Sequence, residues 1–230
     1  MLKILQGISH VISPRVCRVC GQSLAADEDV MCLECFVNLP RANIHRDDFN
    51  AIHERLGHKA CVDKAGAWYL YKRNSPYAQM LVDAKYRDLP RLAYKLGRMC
   101  AQELQPDGFF DGIEMIVPMP MHWYKRLKRG YNQAVEIARG IADVTGLEVC
   151  QALKAARSHG VQSRNTRDER YEKIRDTLEV PKPELIAGRS VLFVDDIITT
   201  GASASEGARI LAEAQPRSLN VLCIGLTMMA

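Results

Sequence analysis

The stretch VLFVDDIITTGAS, Val191 to Ser203, constrains the fold of this chain more than any other. An apolar run of strand composition ends in two acids, then gives way to a turn of Thr, Gly and Ser, with the helix-forming residues Ala204–Ala214 behind it. A strand that feeds a helix through so short a turn is half of a βα unit, and such units build mostly parallel sheets. The junction also carries chemistry. Unpaired backbone N–H groups at a helix N-terminus, reinforced by the helix dipole, favour an anion. Gly201, followed by the small Ala202, lets that backbone approach a ligand closely, and Thr199, Thr200 and Ser203 add hydroxyl donors suited to a terminal phosphate.

Two negative charges beside an anion site need a reason. Asp195 and Asp196 lie a few residues ahead of the phosphate position, a gap that one sugar spans. Carboxylates there accept hydrogen bonds from vicinal hydroxyls, directly or through a hydrated Mg²⁺ ion. The pattern reads as a sugar 5-phosphate site; the plainer alternative is a solvated turn or a helix-capping pair. Neither a P-loop, G-x-x-x-x-G-K-[ST], nor a dinucleotide fingerprint, G-x-G-x-x-G, occurs in the chain.

The remaining pattern fits the same architecture. AGAWYLY (Ala65–Tyr71) reads as a strand, Pro76–Tyr86 and Pro90–Leu104 as helices, and IEMIVPMP (Ile113–Pro120) as a buried strand broken by its prolines. YNQAVEIARGIADVTG places Ala134, Ile137, Ala138, Ile141 and Ala142 on one helical face, with Gly146 as the stop. LEVCQAL and SLNVLCIGL supply further strands. Alternation from about residue 113 onward implies βαβ units and a parallel sheet flanked by helices. Lys154–Asp176, with five arginines, two lysines and no persistent apolar face, reads as an excursion from the core. His45, His53 and His58 stand at irregular spacing and are assigned no role.

A length of 230 residues accommodates one sizeable α/β domain and a small appendage. The appendage is marked by CRVC and CLEC, two C-x-x-C pairs eleven residues apart, whose Cys17, Cys20, Cys32 and Cys35 suit one tetrahedral zinc ion. A segment of about 35 residues buries too little apolar surface to fold alone, so a structural metal would replace the missing core. Gly21 follows the first pair where such a knuckle needs a positive φ. The competing reading, disulfide pairing, is disfavoured in a reducing cytoplasm. The boundaries that follow are a four-cysteine zinc-binding knuckle over 1–40, a linker over 41–64 and the α/β domain over 65–230.

Composition narrows the class by exclusion. No apolar run approaches the roughly 18 residues of a membrane span and no signal-peptide pattern opens the chain, so a cytoplasmic protein with no membrane insertion is expected. The net charge of +4 is too mild to argue for nucleic acid by itself. Charge is concentrated instead in KRLKR, Lys125–Arg129, four cations in five residues.

With these motifs in place the chain resembles a known family. VLFVDDIITTGAS is similar to the phosphoribosyl pyrophosphate signature of type I phosphoribosyltransferases. Together with the double C-x-x-C, AKY (Ala84–Tyr86), VPMP, RGYNQ (Arg129–Gln133), Gln162 and Arg170, it resembles the ComF family, competence and DNA-utilisation proteins with a zinc finger ahead of a phosphoribosyltransferase-like domain. The resemblance implies that Asp195 and Asp196 are the catalytic acids on the ribose hydroxyls. It likewise implies that residues 199–203 hold the 5-phosphate, and that Lys125, Arg126 and Arg129 face the pyrophosphate with Mg²⁺. It implies either phosphoribosyl transfer to an acceptor or a non-catalytic module that senses phosphoribosyl pyrophosphate, with single-stranded DNA and a competence helicase as partners. Thr199 stands where 6-oxopurine enzymes of this kind have an acid, which disfavours hypoxanthine or guanine as acceptor. One departure from the family is Lys173 followed by IRDTL, where members have Asn and then small residues and Phe.

Overall fold

The computed structural model describes residues 15–86, 89–121, 127, 129–155 and 178–228, the side chains of Lys59 and Tyr86 excepted. Among them run seven strands: β1 (Ala65–Tyr71), β2 (Met115–Pro118), β3 (Glu148–Val149), β4 (Lys154–Ala155), β5 (Leu178–Glu179), β6 (Ser190–Ile198) and β7 (Ser218–Thr227). The α-helices are α1 (Leu33–Val37), α2 (Ala51–Leu56), α3 (Ala78–Tyr86), α4 (Pro90–Leu104), α5 (Gln133–Thr145) and α6 (Ala202–Glu213). Five strands form one sheet in the order β1-β7-β6-β2-β3, every neighbouring pair parallel. Strands β4 and β5 make a separate antiparallel pair. The parallel α/β sheet flanked by helices, with a Cys cluster ahead of it, is therefore the fold that the sequence implied.

Burial on both faces explains why the strands read as nearly continuous apolar runs. Along β6, Leu192 and Val194 face a core shared with Leu96 of α4 and Ile137 of α5, while Val191 and Phe193 face Ala208 and Leu211 of α6. The period-2 alternation thus serves two cores rather than one core and solvent. Helix α4 begins at Pro90, whose missing N–H costs nothing at that position, and Asn132 caps α5 by accepting from the Ala134 N–H at 3.0 Å.

Helices α4 and α5 touch backbone to backbone. A Cβ on Gly97 would lie 2.2 Å from the Ile137 carbonyl oxygen, and one on Gly140 would lie 2.0 Å from the Tyr94 carbonyl oxygen. Glycine on both sides of one crossing is what permits that approach.

Residues 41–64, a linker by composition, carry helix α2, held by the buried Asn50. The Asn50 side chain accepts from the Ile52 N–H, while His53 Nδ1 accepts from the Asn50 N–H at 3.1 Å, a reciprocal cap. Ile52 and Leu56 then bury against β1 and α6, so the segment lies against the second core. His53, unassigned from sequence, is a capping residue.

Candidate functional site

Strand β2 leads through α5 to β3 on one side of it, while its neighbour β6 leads through α6 to β7 on the other. Connections leaving adjacent carboxyl ends therefore diverge and open a crevice, the place where open α/β sheets bind ligands. Here the crevice measures about 670 Å³ and is lined by Met119, Pro120, Arg129, Asp195, Asp196 and the turn 199–203. Motifs far apart in sequence meet at this point. Tyr131 donates its hydroxyl to the Ala84 carbonyl, which Gln133 Nε2 also approaches at 3.5 Å, and Asn132 Nδ2 donates to the Met119 carbonyl at 2.9 Å. RGYNQ thus pins the ends of α3, β2 and α5 around the crevice and places Arg129 in its wall. Lys125 and Arg126 lie outside the described residues.

The two acids are inequivalent. Successive residues of a strand point to opposite faces. Asp196 turns toward α3, where its carboxylate, 13% exposed, pairs with Lys85 at 2.9 Å. Asp195 is more open to the crevice, and its Oδ1 accepts the Asp196 N–H at 2.8 Å. In the turn beyond, Thr199, Thr200, Ala202 and Ser203 are exposed; the N-cap Gly201 has no side chain to offer, and Thr200 Oγ1 accepts the Ala202 N–H at 3.4 Å. Gly201 alone is buried, at φ +82°, where a Cβ would lie 2.9 Å from the Arg55 carbonyl oxygen. Both the left-handed conformation and the space require glycine.

The four cysteines of the knuckle come together away from the crevice, their sulfurs all within 4.8 Å of one another. Tetrahedral coordination with metal–sulfur bonds of about 2.3 Å separates sulfurs by about 3.8 Å, and Cys20 and Cys32 stand 3.7 Å apart. Gly21 takes the expected positive φ of 78°. Burial would push the Cys17 thiol up, but backbone N–H groups of Cys20, Cys32 and Val19 aimed at its sulfur bring it down to about 6. Burial, with the neighbouring sulfurs, pushes Cys35 well up. Four sulfurs in this space could bind one metal ion such as zinc, and with every position a sulfur such a site keeps none open for catalysis.

Curated relatives resemble the chain along most of its length. A protein of Escherichia coli K12 named "DNA utilization protein YhgH" is 22% identical over 221 residues, 93% of this chain and 91% of its own. Its Salmonella typhimurium counterpart is 23% identical over 226 residues, covering 94% and 98%. "Competence protein F" of Haemophilus influenzae is 29% identical over 103 residues, 43% of this chain and 44% of its own. The chain resembles the ComF family. No family model matches it. Among solved structures, glutamine phosphoribosylpyrophosphate amidotransferase from B. subtilis overlaps 57% of the chain at 23% identity and a TM-score of 0.39. Hypoxanthine phosphoribosyltransferase from Trypanosoma cruzi overlaps 58% at 14% identity and a TM-score of 0.37. The overlap spans 25% of the amidotransferase and 62% of the hypoxanthine enzyme. Strand order and crevice, rather than these partial overlaps, define the fold.

Lys85 of this ComF-like chain is the crevice residue that sequence reasoning did not assign, although it sits inside the quoted AKY. Its place at the end of α3 suits a cation, and its partner belongs to a strand remote in sequence. Lys85→Ala would leave the Asp196 carboxylate largely buried and unpaired, an expected cost of about 2 kcal/mol. Thermal melts should show a Tm lower by about 5 °C, with Asp196→Asn in the same chain recovering part of the loss. Additive losses from the two substitutions would contradict the pairing.

Proposed function

We propose that the crevice binds phosphoribosyl pyrophosphate with Mg²⁺. The observation that carries this reading is that Asp195 and Asp196, the Thr/Gly/Ser turn that opens α6 and Arg129 line one crevice at the divergence of β2 and β6. In it Asp195 and Asp196 accept hydrogen bonds from the ribose hydroxyls, residues 199–203 receive the 5-phosphate through N–H and hydroxyl groups, and Arg129 faces the diphosphate. Lys125 and Arg126 are proposed to face the diphosphate beside Arg129. Mg²⁺, bound with the ligand, would offset the diphosphate charge. If the chain transfers the phosphoribosyl group, the anomeric C–O bond to pyrophosphate breaks as the acceptor bonds to that carbon. The two carboxylates then face the positive charge that develops on the sugar. Thr199 has no carboxylate to take a proton from a base, which points away from 6-oxopurine acceptors. Zinc is the metal proposed for the knuckle, in a structural role.

Expected with phosphoribosyl pyrophosphate and Mg²⁺ is calorimetric binding by wild type that weakens about 100-fold on joint Asp195→Asn and Asp196→Asn substitution, since each carboxylate loses charge-assisted bonds of about 1.5–3 kcal/mol. Equal binding by both proteins would refute the ribose assignment. Pyrophosphate release across a panel of bases separates a transferase from a sensor.

The names of the relatives, with the family resemblance, support a role in DNA utilisation or competence, with single-stranded DNA or a helicase as partner. The charge of the knuckle favours a DNA contact elsewhere on the chain. Residues 15–40 carry two arginines against four acids, Arg18 pairs with Asp83 at 3.7 Å, and Arg15 is bonded to the Ala25 and Ala26 carbonyls. No helix among the described residues is long and apolar enough to cross a membrane.

A further inference from the structure

Helix α2 lies directly behind the turn that follows β6, and Arg55 reaches from it into the backbone of that turn. Its Nη1 donates to the carbonyls of Ile198 at 3.2 Å and Thr199 at 2.9 Å and to Thr227 Oγ1 at 3.3 Å, while Nη2 donates to the Thr227 carbonyl. These acceptors sit at the carboxyl ends of β6 and β7, which are neighbours in the sheet. A trans peptide points its carbonyl and the next residue's N–H in opposite directions. Carbonyls of Ile198 and Thr199 drawn back toward Arg55 therefore turn the N–H groups of Thr199 and Thr200 outward, toward the crevice.

Two further contacts tie the same helix to the same turn. Gly201 rests on Arg55 so closely that a Cβ there would lie 2.7 Å from Arg55 Cβ. One turn later, the buried Ser205 donates its hydroxyl to the Leu56 carbonyl at 2.8 Å. The Arg55 guanidinium thus does what a ligand-side donor cannot. It engages the carbonyls from behind and puts a positive charge beneath the place of an anion without occupying it.

Building on the proposed phosphoribosyl pyrophosphate site, we infer that Arg55 is the positioning residue of the 5-phosphate turn, holding it from behind in its anion-receiving conformation. The residue touches no ligand in this role. Its effect is confined to one end of the crevice, because the diphosphate end is walled by Arg129 and the end of β2.

The test compares two probes that occupy opposite ends, ribose 5-phosphate and Mg²⁺–pyrophosphate, by calorimetry on the full chain. Arg55→Met is expected to bind ribose 5-phosphate about tenfold more weakly, the turn having lost its preorganisation, and to keep its pyrophosphate affinity within about twofold. Arg55→Lys should recover only part of the loss, since an ammonium keeps the charge but cannot bridge carbonyls on two strands. Gly201→Ala, which presses on Arg55 from the turn, should show the same one-ended loss. An equal loss for both probes, an unchanged ribose 5-phosphate affinity in folded Arg55→Met, or full recovery by lysine would each overturn the positioning role. Should Arg55→Met fail to fold, Arg55→Lys and Gly201→Ala decide, and unchanged ribose 5-phosphate affinity in both refutes it. Failure of wild type to bind either probe would instead refute the crevice reading itself, and this role with it.

Discussion

Gly140→Ala is expected to destabilise the protein by about 3 kcal/mol, against the usual sign of such a change, since in an ordinary helix interior alanine improves on glycine by about 1 kcal/mol. The reversal follows from the crossing of α4 and α5. The added methyl would lie 2.0 Å from the Tyr94 carbonyl oxygen and 2.8 Å from the Arg98 nitrogen, both backbone atoms of α4 that cannot rotate away. Only a shift of one helix relieves the overlap. That shift would loosen contacts of Leu96, Cys100, Ile137 and Ile141, all fully buried in the core over β6. Thermal unfolding should show Tm lower by about 6–12 °C for a chain of this size. Gly97→Ala acts on the same crossing through the Ile137 carbonyl, so the double variant should cost clearly less than the sum of the single ones. A Gly140→Ala protein as stable as wild type would mean that the helices do not cross at this distance.

Which features the sequence disclosed follows from the range of the interactions behind them. Strand β6 was legible because its apolar run is local and meets apolar cores on both faces; α4 was legible because Pro90 and its apolar period lie within its own residues. The turn at 199–203 was legible for the same reason, since the hydroxyls, the glycine and the helix behind them are contiguous. Helix α2 was not. Six residues are too few to show a helical period, and its Asn50–His53 cap lacks the Ser/Thr and Glu that usually mark one. Nor could sequence assign Arg55, whose acceptors are 143 to 172 residues away, or Lys85, whose partner lies on a strand across the crevice. The difference between Asp195 and Asp196 stood between these cases: strand alternation predicts opposite faces, but only the fold shows that one face holds a lysine.

Removing the zinc proposed for the cysteine quartet is expected to cost more than any single substitution away from it. Structural zinc binding is worth roughly 10–16 kcal/mol, comparable to the roughly 5–15 kcal/mol that holds a whole domain together. The knuckle is no separate bead on a tether. Cys17, Val30, Met31 and Cys35 share one core with Met80 and Leu81 of α3 and Leu92 and Leu96 of α4. Tyr77 donates its hydroxyl to the Cys35 carbonyl at 3.1 Å, and Arg18 pairs with Asp83 on α3, the helix whose last turn carries Lys85 to Asp196. Loss of the ion should therefore reach the crevice along α3, while β6 and its turn, anchored in the second core by Phe193 and Ala204, remain in place. A strong chelator should release about one equivalent of metal per chain and lower Tm by more than about 10 °C. It should also weaken phosphoribosyl pyrophosphate binding severalfold in excess Mg²⁺, and Cys20→Ser should follow the same course in milder form. Acid should assist release, because protons compete with the ion for each thiolate. A chelated protein that melts lower yet binds phosphoribosyl pyrophosphate as wild type does would show that the knuckle stabilises the fold without supporting Lys85. Unchanged melting after chelation would show that the quartet holds no structural ion at all.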